Sequence, residues 1–380
     1  MNERDVFPLE FELLIRRDPA RRGLISSELT LPPLLLGELP AAAEELHRTA
    51  RRVALVTGFF VPRVTPPCAE TDGPPGTWML ADVLERLGIP TLLITDEPNG
   101  SAVRSLAERN DSHARNVAVV PLNDPGAIDR LEQRLIAEQF THLISLERIG
   151  PSHTAESFRQ QRAQQVDPLP EKRGFNADPF GSEYPEPHGQ FHADDPHPAH
   201  WDRPQIEDPE RAFRERVPVD SYGLRLNMRG VSVDAHTAPL DRLFESSALR
   251  AAGIRTIGIG DGGNEIGMGK VPWEELALRL PGEQAARIPC RIACDWTILA
   301  GVSNWGGYAL AAAICLHRGE VDLLRGYDCD AEYQRLCHLV EQGPAVDGVT
   351  GERSPTVDGL PFLTYIQPWL GIRRMLDLPE

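Results

Sequence analysis

The sequence predicts an α/β protein, a doubly wound and mostly parallel sheet with helices on both faces and a long loop insertion. Three observations predict it: six short apolar, β-branched runs, helix-patterned segments between several of them, and one Pro-, Asp- and His-rich tract that breaks the alternation. A strand buried on both faces reads as a near-continuous apolar run, because neither face meets water. Runs of that kind alternating with helical patterns imply βαβ crossovers and parallel pairing.

Residues 1–50 read as a helical leader, with "PAAAEELHRTARR" feeding the first strand. The strand runs are "RVALVTGFF" from Arg52, "PTLLITD" from Pro90, "VAVVPL" from Val117, "THLISLE" from Thr141, "TIGIGD" from Thr256 and "WTILAGVS" from Trp296. Helical patterns occupy Gly76 to Gly88, Pro125 to Phe140 and Gly306 to Gly319. The α/β domain therefore spans 51–159 and 219–380, divided by an insertion over 160–218. Four of the eleven histidines, His188, His192, His197 and His200, lie in that insertion and raise the question of metal binding. Their neighbours are Pro, Asp and Gly without periodicity, so a solvated loop is the favoured reading.

At 380 residues and 41% hydrophobic content the chain can bury a sizeable core. A formal charge of −17 argues against nucleic acid and anionic membrane as partners, since both demand clustered Lys and Arg. A small molecule is the expected partner, and self-association into a homo-oligomer stays open. No apolar stretch approaches 18 residues, and the start "MNERDVFPLEFELL" has neither a basic nor an apolar signal region, so a cytoplasmic location is expected. The six cysteines follow no zinc-ribbon spacing and read mostly as buried thiols.

"TIGIGDGGNEIGMGK", Thr256 to Lys270, holds six glycines directly behind a strand run. Glycine weakens regular elements, so such density signals positive φ or close backbone approach. Gly258, Gly260 and Gly263 fit G-x-G-x-x-G, but Gly267, Gly269 and Pro272 forbid the helix that a dinucleotide site needs, and the Walker residues are missing.

In open parallel sheets ligands bind beyond the carboxyl ends of the strands. The polar residues collect there: Glu70, Thr71 and Asp72 in "AETDGPPG", Glu147 and Arg148, the loop of Asp261, Asn264 and Glu265, and then Ser303 and Asn304. Asp261, Asn264 and Glu265 could hold a divalent cation through oxygen or take protons from a substrate amine. Lys270, Asn227 and Arg229 are candidate anion contacts, each with a plain solvent or ion-pair alternative. Cys294 lacks an adjacent His and reads as core rather than nucleophile.

The set "AETDGPPG", "LER", "NMRGV", "IGIGDGGNEIGMGKV", "IACD", "AGVSNWGGYAL" and "DGLPF", in that order, resembles the C-terminal domain of the D-glutamate cyclase family. The resemblance runs from about Val53 to Leu363, leaving out the insertion. Longer family members carry an additional N-terminal hydro-lyase-like domain, where this chain has its helical leader. The resemblance implies a carbon–oxygen lyase that converts D-glutamate to 5-oxo-D-proline and water. On that reading Asp261 or Glu265 is a base or metal ligand, and Asp72 and Glu147 share metal binding or the second acid role. Arg229 or Lys270 holds the α-carboxylate, and Asn227, Asn264, Ser303, Asn304 and Thr71 complete the substrate contacts. No cofactor is demanded, although Mg²⁺ or Mn²⁺ fits the acids. A phosphate-handling metal-dependent hydrolase or transferase, and a non-catalytic amino-acid-binding module, stay open as alternatives.

Overall fold

A computed structural model describes residues 3–25, 33–166 and 206–379. Each apolar run forms one strand: β1 (Val53–Thr57), β2 (Thr91–Asp96), β3 (Val117–Val120), β4 (His142–Leu146), β5 (Arg255–Gly260) and β6 (Trp296–Leu299). The helices that position the site are α1 (Glu3–Ile15), α2 (Glu38–Thr49), α3 (Pro74–Arg86), α4 (Gly100–Ala107), α5 (Ala127–Ala137), α6 (Ala155–Val166), α7 (Pro209–Arg216), α8 (Trp273–Arg279) and α9 (Ser303–Arg318).

The six strands pair in parallel in the spatial order β3-β2-β1-β4-β5-β6. The order changes direction between β1 and β4, and at such a switch point the crossovers diverge and leave a crevice at the carboxyl ends. Successive β1 residues face opposite layers. Val53 and Leu55 join a core with Phe11, Leu39, Trp78, Ala102 and Ile314, whereas Ala54 and Val56 join one with Leu131, Leu135, Met268 and Leu276. Helices therefore cover both faces, as the unbroken apolar runs require. Helix α9 is buried from Ser303 to Cys315, and its small residues Ala309, Ala311, Ala312 and Ala313 let α2 and α3 pack close against it.

The leader belongs to this core. Phe11 and Ile15 of α1 and Leu39 and Leu46 of α2 are fully buried in the same cluster as the sheet. The strap that follows α1 is fastened by the backbone: Gly301 N–H donates to Ile15 O at 2.9 Å, and a Cβ on Gly23 would stand 2.1 Å from Arg279 O. Asp18 closes the strap into a turn, its carboxylate accepting from Arg22 N and Gly23 N, each at 2.7 Å.

The described ends of the insertion tract are helical. Phe158 of α6, Phe213 of α7 and Trp273 of α8 stack in one small core that also buries Val217. The four-histidine reading concerns His188 to His200, which lie outside the described residues. All six cysteines are free thiols, four of them buried, and burial pushes Cys294 up to about 12. Among the described residues no helix is long and apolar enough to cross a membrane.

Candidate active site

The carboxyl ends of β1, β4, β5 and β6 bring Asp72, Glu147, Asp261 and Ser303 together, and local chemistry sets each one. After β1 a short hairpin, Phe60–Val61 with Cys68–Ala69, turns the chain back toward the sheet and delivers Glu70, Thr71 and Asp72. The Asp72 carboxylate accepts from Ser303 N at 2.9 Å and Asn304 N at 2.8 Å. These are the first amides of α9, where orphan N–H groups and the helix dipole favour an anion. Asn304 fixes the same turn from the other side: its Oδ1 accepts from Gly73 N and Gly76 N, and its Nδ2 donates to Thr71 O. Thr71 Oγ1 in turn donates to Thr356 O at 2.7 Å, tying the turn to the 346–360 loop. Asn304 and Thr71 thus position Asp72.

Ser303 Oγ donates to Glu147 Oε2 at 2.6 Å. Glu147 holds a left-handed backbone (φ 48°), and Asp358 across the crevice holds another (φ 54°). Non-glycine residues adopt this region at a cost of about 1–3 kcal/mol, and such strain concentrates at functional sites. Gly73 makes room for it, since a Cβ there would lie 2.8 Å from Glu147 Cβ. Asp72, Glu147 and Asp261 each present one carboxylate oxygen, all within 4.8 Å of one another.

The glycine loop serves Glu265 as much as Asp261. The Glu265 carboxylate folds back under the loop and accepts from Gly262 N and Gly263 N, each at 2.8 Å. Asn264 Nδ2 donates to Leu226 O, which leaves its buried Oδ1 without a partner, as is Glu70 Oε1. Beyond Glu265 the chain doubles back beneath β5, with Gly267 (φ 109°) against Gly258 so closely that a Cβ on either would clash.

That reversal corrects the expectation for Lys270. The loop carries it toward the amino ends of the strands, where Nζ pairs with Glu38 at 2.5 Å and donates to Asp295 O at 2.8 Å. Lys270 therefore does not line the crevice. Asn227 and Arg229 do, although the Asn227 Oδ1 is engaged by Arg229 N and Val231 N in its own turn.

A cavity of about 500 Å³ opens over the cluster, lined by Glu70, Glu147, Asp261, Asn264, Glu265 and Asp358 and by Arg21, Arg22, Asn227 and Arg229. Arg22, Arg21 and Asp358 were not among the residues read from the sequence, and Glu70 was read only as a neighbour of Asp72 at the strand ends. Glu70 and Asp358 stand inside quoted segments, "AETDGPPG" and "DGLPF", whereas nothing local in "DPARRG" marks Arg22. Arg22 nevertheless reaches the centre of the acids, ion-paired to Asp261 Oδ2 and, at 2.8 Å, to Asp358 Oδ1. Burial alone would lower its pKa, but the carboxylates of Asp261, Asp358, Glu147 and Glu265 outweigh that and raise it. The acids respond oppositely. Burial, reinforced by their neighbours' charges, holds Glu70, Asp72 and Glu147 well above the usual range. Burial likewise pushes Asp261 up to about 6 and Asp358 to about 7, with Arg22 holding both back. Two adjacent carboxyls raised towards neutrality can pass protons near physiological pH.

The fold and the site together define a doubly wound α/β domain with a concave, carboxylate-rich pocket at its switch point, the place where open α/β sheets receive their ligands. The chain belongs to the family described as D-glutamate cyclase-like, C-terminal, which matches residues 11–173 and 213–367. It is 27% identical over 372 residues to the Homo sapiens protein "D-glutamate cyclase, mitochondrial", an alignment covering 93% of this chain and 49% of the human one. The chain thus spans about half the length of that relative.

Proposed function

We propose that this domain is a lyase that closes D-glutamate into 5-oxo-D-proline with release of water. The observation that carries the reading is the juxtaposition of Asp72, Glu147 and Asp261 within 4.8 Å beneath a cavity of amino-acid size, in a chain of this family. The acid cluster attracts the substrate ammonium. Asp261, with its pKa about 6, accepts a proton from that nitrogen, and Asp358, about 7, donates one to the departing γ-carboxylate oxygen. The N–Cδ bond forms and one Cδ–O bond breaks. Two protons leave nitrogen and two depart in the water, so the reaction balances without a co-reactant.

The donor set also suits a hard cation, since Asp72, Glu147 and Asp261 offer oxygens only and Glu70 Oε1 is buried unpartnered nearby. Bound there, Mg²⁺ or Mn²⁺ would supply Lewis-acid polarisation of the leaving carboxylate. The test is incubation of purified protein with D-glutamate, L-glutamate or 5-oxoproline, with and without Mg²⁺ or Mn²⁺, followed by chromatography. Turnover of D-glutamate supports the cyclase. Thermal stabilisation by D-glutamate without turnover would replace it with an amino-acid-binding module.

A further inference from the structure

We propose that Arg21, on the strap of the leader, is the residue that binds the substrate's α-carboxylate. The inference rests on the cyclase reading and names a recognition residue for it. The γ-carboxyl and the amine must meet at the acid cluster, so the α-carboxylate is the end of the ligand that points away from it. It stays anionic throughout and is retained in 5-oxoproline. In a cavity walled by six carboxyl-bearing side chains, counting Asp72 at its base, a ligand carboxylate gains a charge partner only where a cation faces it.

Two of the four arginines that line the cavity are already engaged. Arg22 pairs with Asp261 and Asp358, and Arg63 donates to the carbonyls of Gly348 and Val349. The guanidinia of Arg21 and Arg229 are exposed and make no ion pair or hydrogen bond among the described residues. The two differ in how they are held. Arg229 rides on the tip of an exposed turn closed by Asn227. Arg21 adopts a left-handed backbone (φ 54°) inside the turn that Asp18 closes, directly before the ion-paired Arg22 and two residues before Gly23, whose backbone abuts Arg279 O. A backbone held at the cavity by docked neighbours keeps the Arg21 side chain at its rim, where the planar guanidinium fork matches a carboxylate.

The test compares Arg21→Ala, Arg21→Lys and Arg229→Ala in D-glutamate kinetics and in calorimetric binding of 5-oxo-D-proline and of 2-pyrrolidone, which is the same lactam without the carboxylate. Loss of a charge-assisted contact made equally to substrate, transition state and product raises KM and the Kd for 5-oxo-D-proline together, by about 10- to 100-fold, and leaves kcat within about threefold. Binding of 2-pyrrolidone should be unchanged, and lysine should recover part of the loss. An unchanged KM in Arg21→Ala, an equal weakening of 2-pyrrolidone, or a larger effect at Arg229 overturns the proposal. If the wild-type chain does not turn over D-glutamate but binds 5-oxo-D-proline in an Arg21-dependent way, the cyclase reading falls and the carboxylate site stands. If it binds neither carboxylate, both fall.

Discussion

Arg22, on the strap between the first two helices, is ion-paired to Asp261 at the carboxyl end of β5. The pair joins the leader to the glycine loop, and Leu24 beside it packs on Gly263 of the same loop. It makes the N-terminal segment part of the site. It also places one permanent positive charge among carboxyls that burial would otherwise leave neutral.

Replacing Arg22 by Met should therefore be felt in folding. Removing one partner of a buried ion pair leaves uncompensated charge and typically costs about 3–5 kcal/mol. Urea unfolding at neutral pH should show a loss of that order, shrinking at pH 5 where the acids take up protons. A stability indistinguishable from wild type at both pH values would mean that the strap is not docked as described.

Asp261 and Glu265 should separate in their effects, because they are bonded differently. Asp261→Asn removes the charge that accepts the proton, so turnover should fall by about 10²-fold or more, the scale of lost proton-transfer catalysis. Glu265 gives both oxygens to loop amides, and an amide side chain can accept only through one. Glu265→Gln should thus lose about 1–3 kcal/mol of stability in thermal unfolding. Near-native turnover in both variants, with Asp72→Asn inactive, would move the chemistry to the "TDGPPG" turn.

Stability should fall as pH rises from about 4 to about 7. Burial raises Asp261 from 3.8 to about 6 and Asp358 from 3.8 to about 7, so the folded state holds more protons than the unfolded chain in this window. The slope of unfolding free energy with pH follows the protons bound unfolded minus folded, and is here negative. Calorimetric Tm should be higher near pH 5 than near pH 7.5, and the difference should narrow in Asp358→Asn. A Tm that climbs across the window would show that these acids are ionised and stabilised instead.

The C-terminal end of the insertion tract should be structural. Phe213 stacks 4.5 Å from Phe158 and 5.0 Å from Trp273, ring centre to ring centre, and is buried. Phe213→Ala should lower stability by about 3–5 kcal/mol, the usual range for emptying a packed aromatic site. Removal of the whole of 160–218 should lower Tm at least as far. A Tm within a few degrees of wild type after that removal would return the tract to the status of a loop.

The sequence by itself determined the sheet. Every strand run, and the helices α3, α5 and α9, announced themselves through their hydrophobic patterning, because burial on one or two faces is a local demand that each segment meets with its own residues; α4, α6, α7 and α8 did not. It also placed Asp72, Glu147, Asp261 and Ser303 at strand ends, since a parallel sheet sends all its carboxyl ends to one edge. Tertiary structure alone decided which neighbours of those acids share the site. Lys270 sits nine residues after Asp261 yet leaves for the opposite end of the sheet, because Gly267 folds the chain back under Gly258. Arg22 and Asp358, remote in sequence, arrive by the docking of a strap on Gly301 and of a loop on the Thr71 turn. Those contacts are made by backbone groups and by charges that pair across the fold, and neither leaves a periodic trace in the amino acids that carry them.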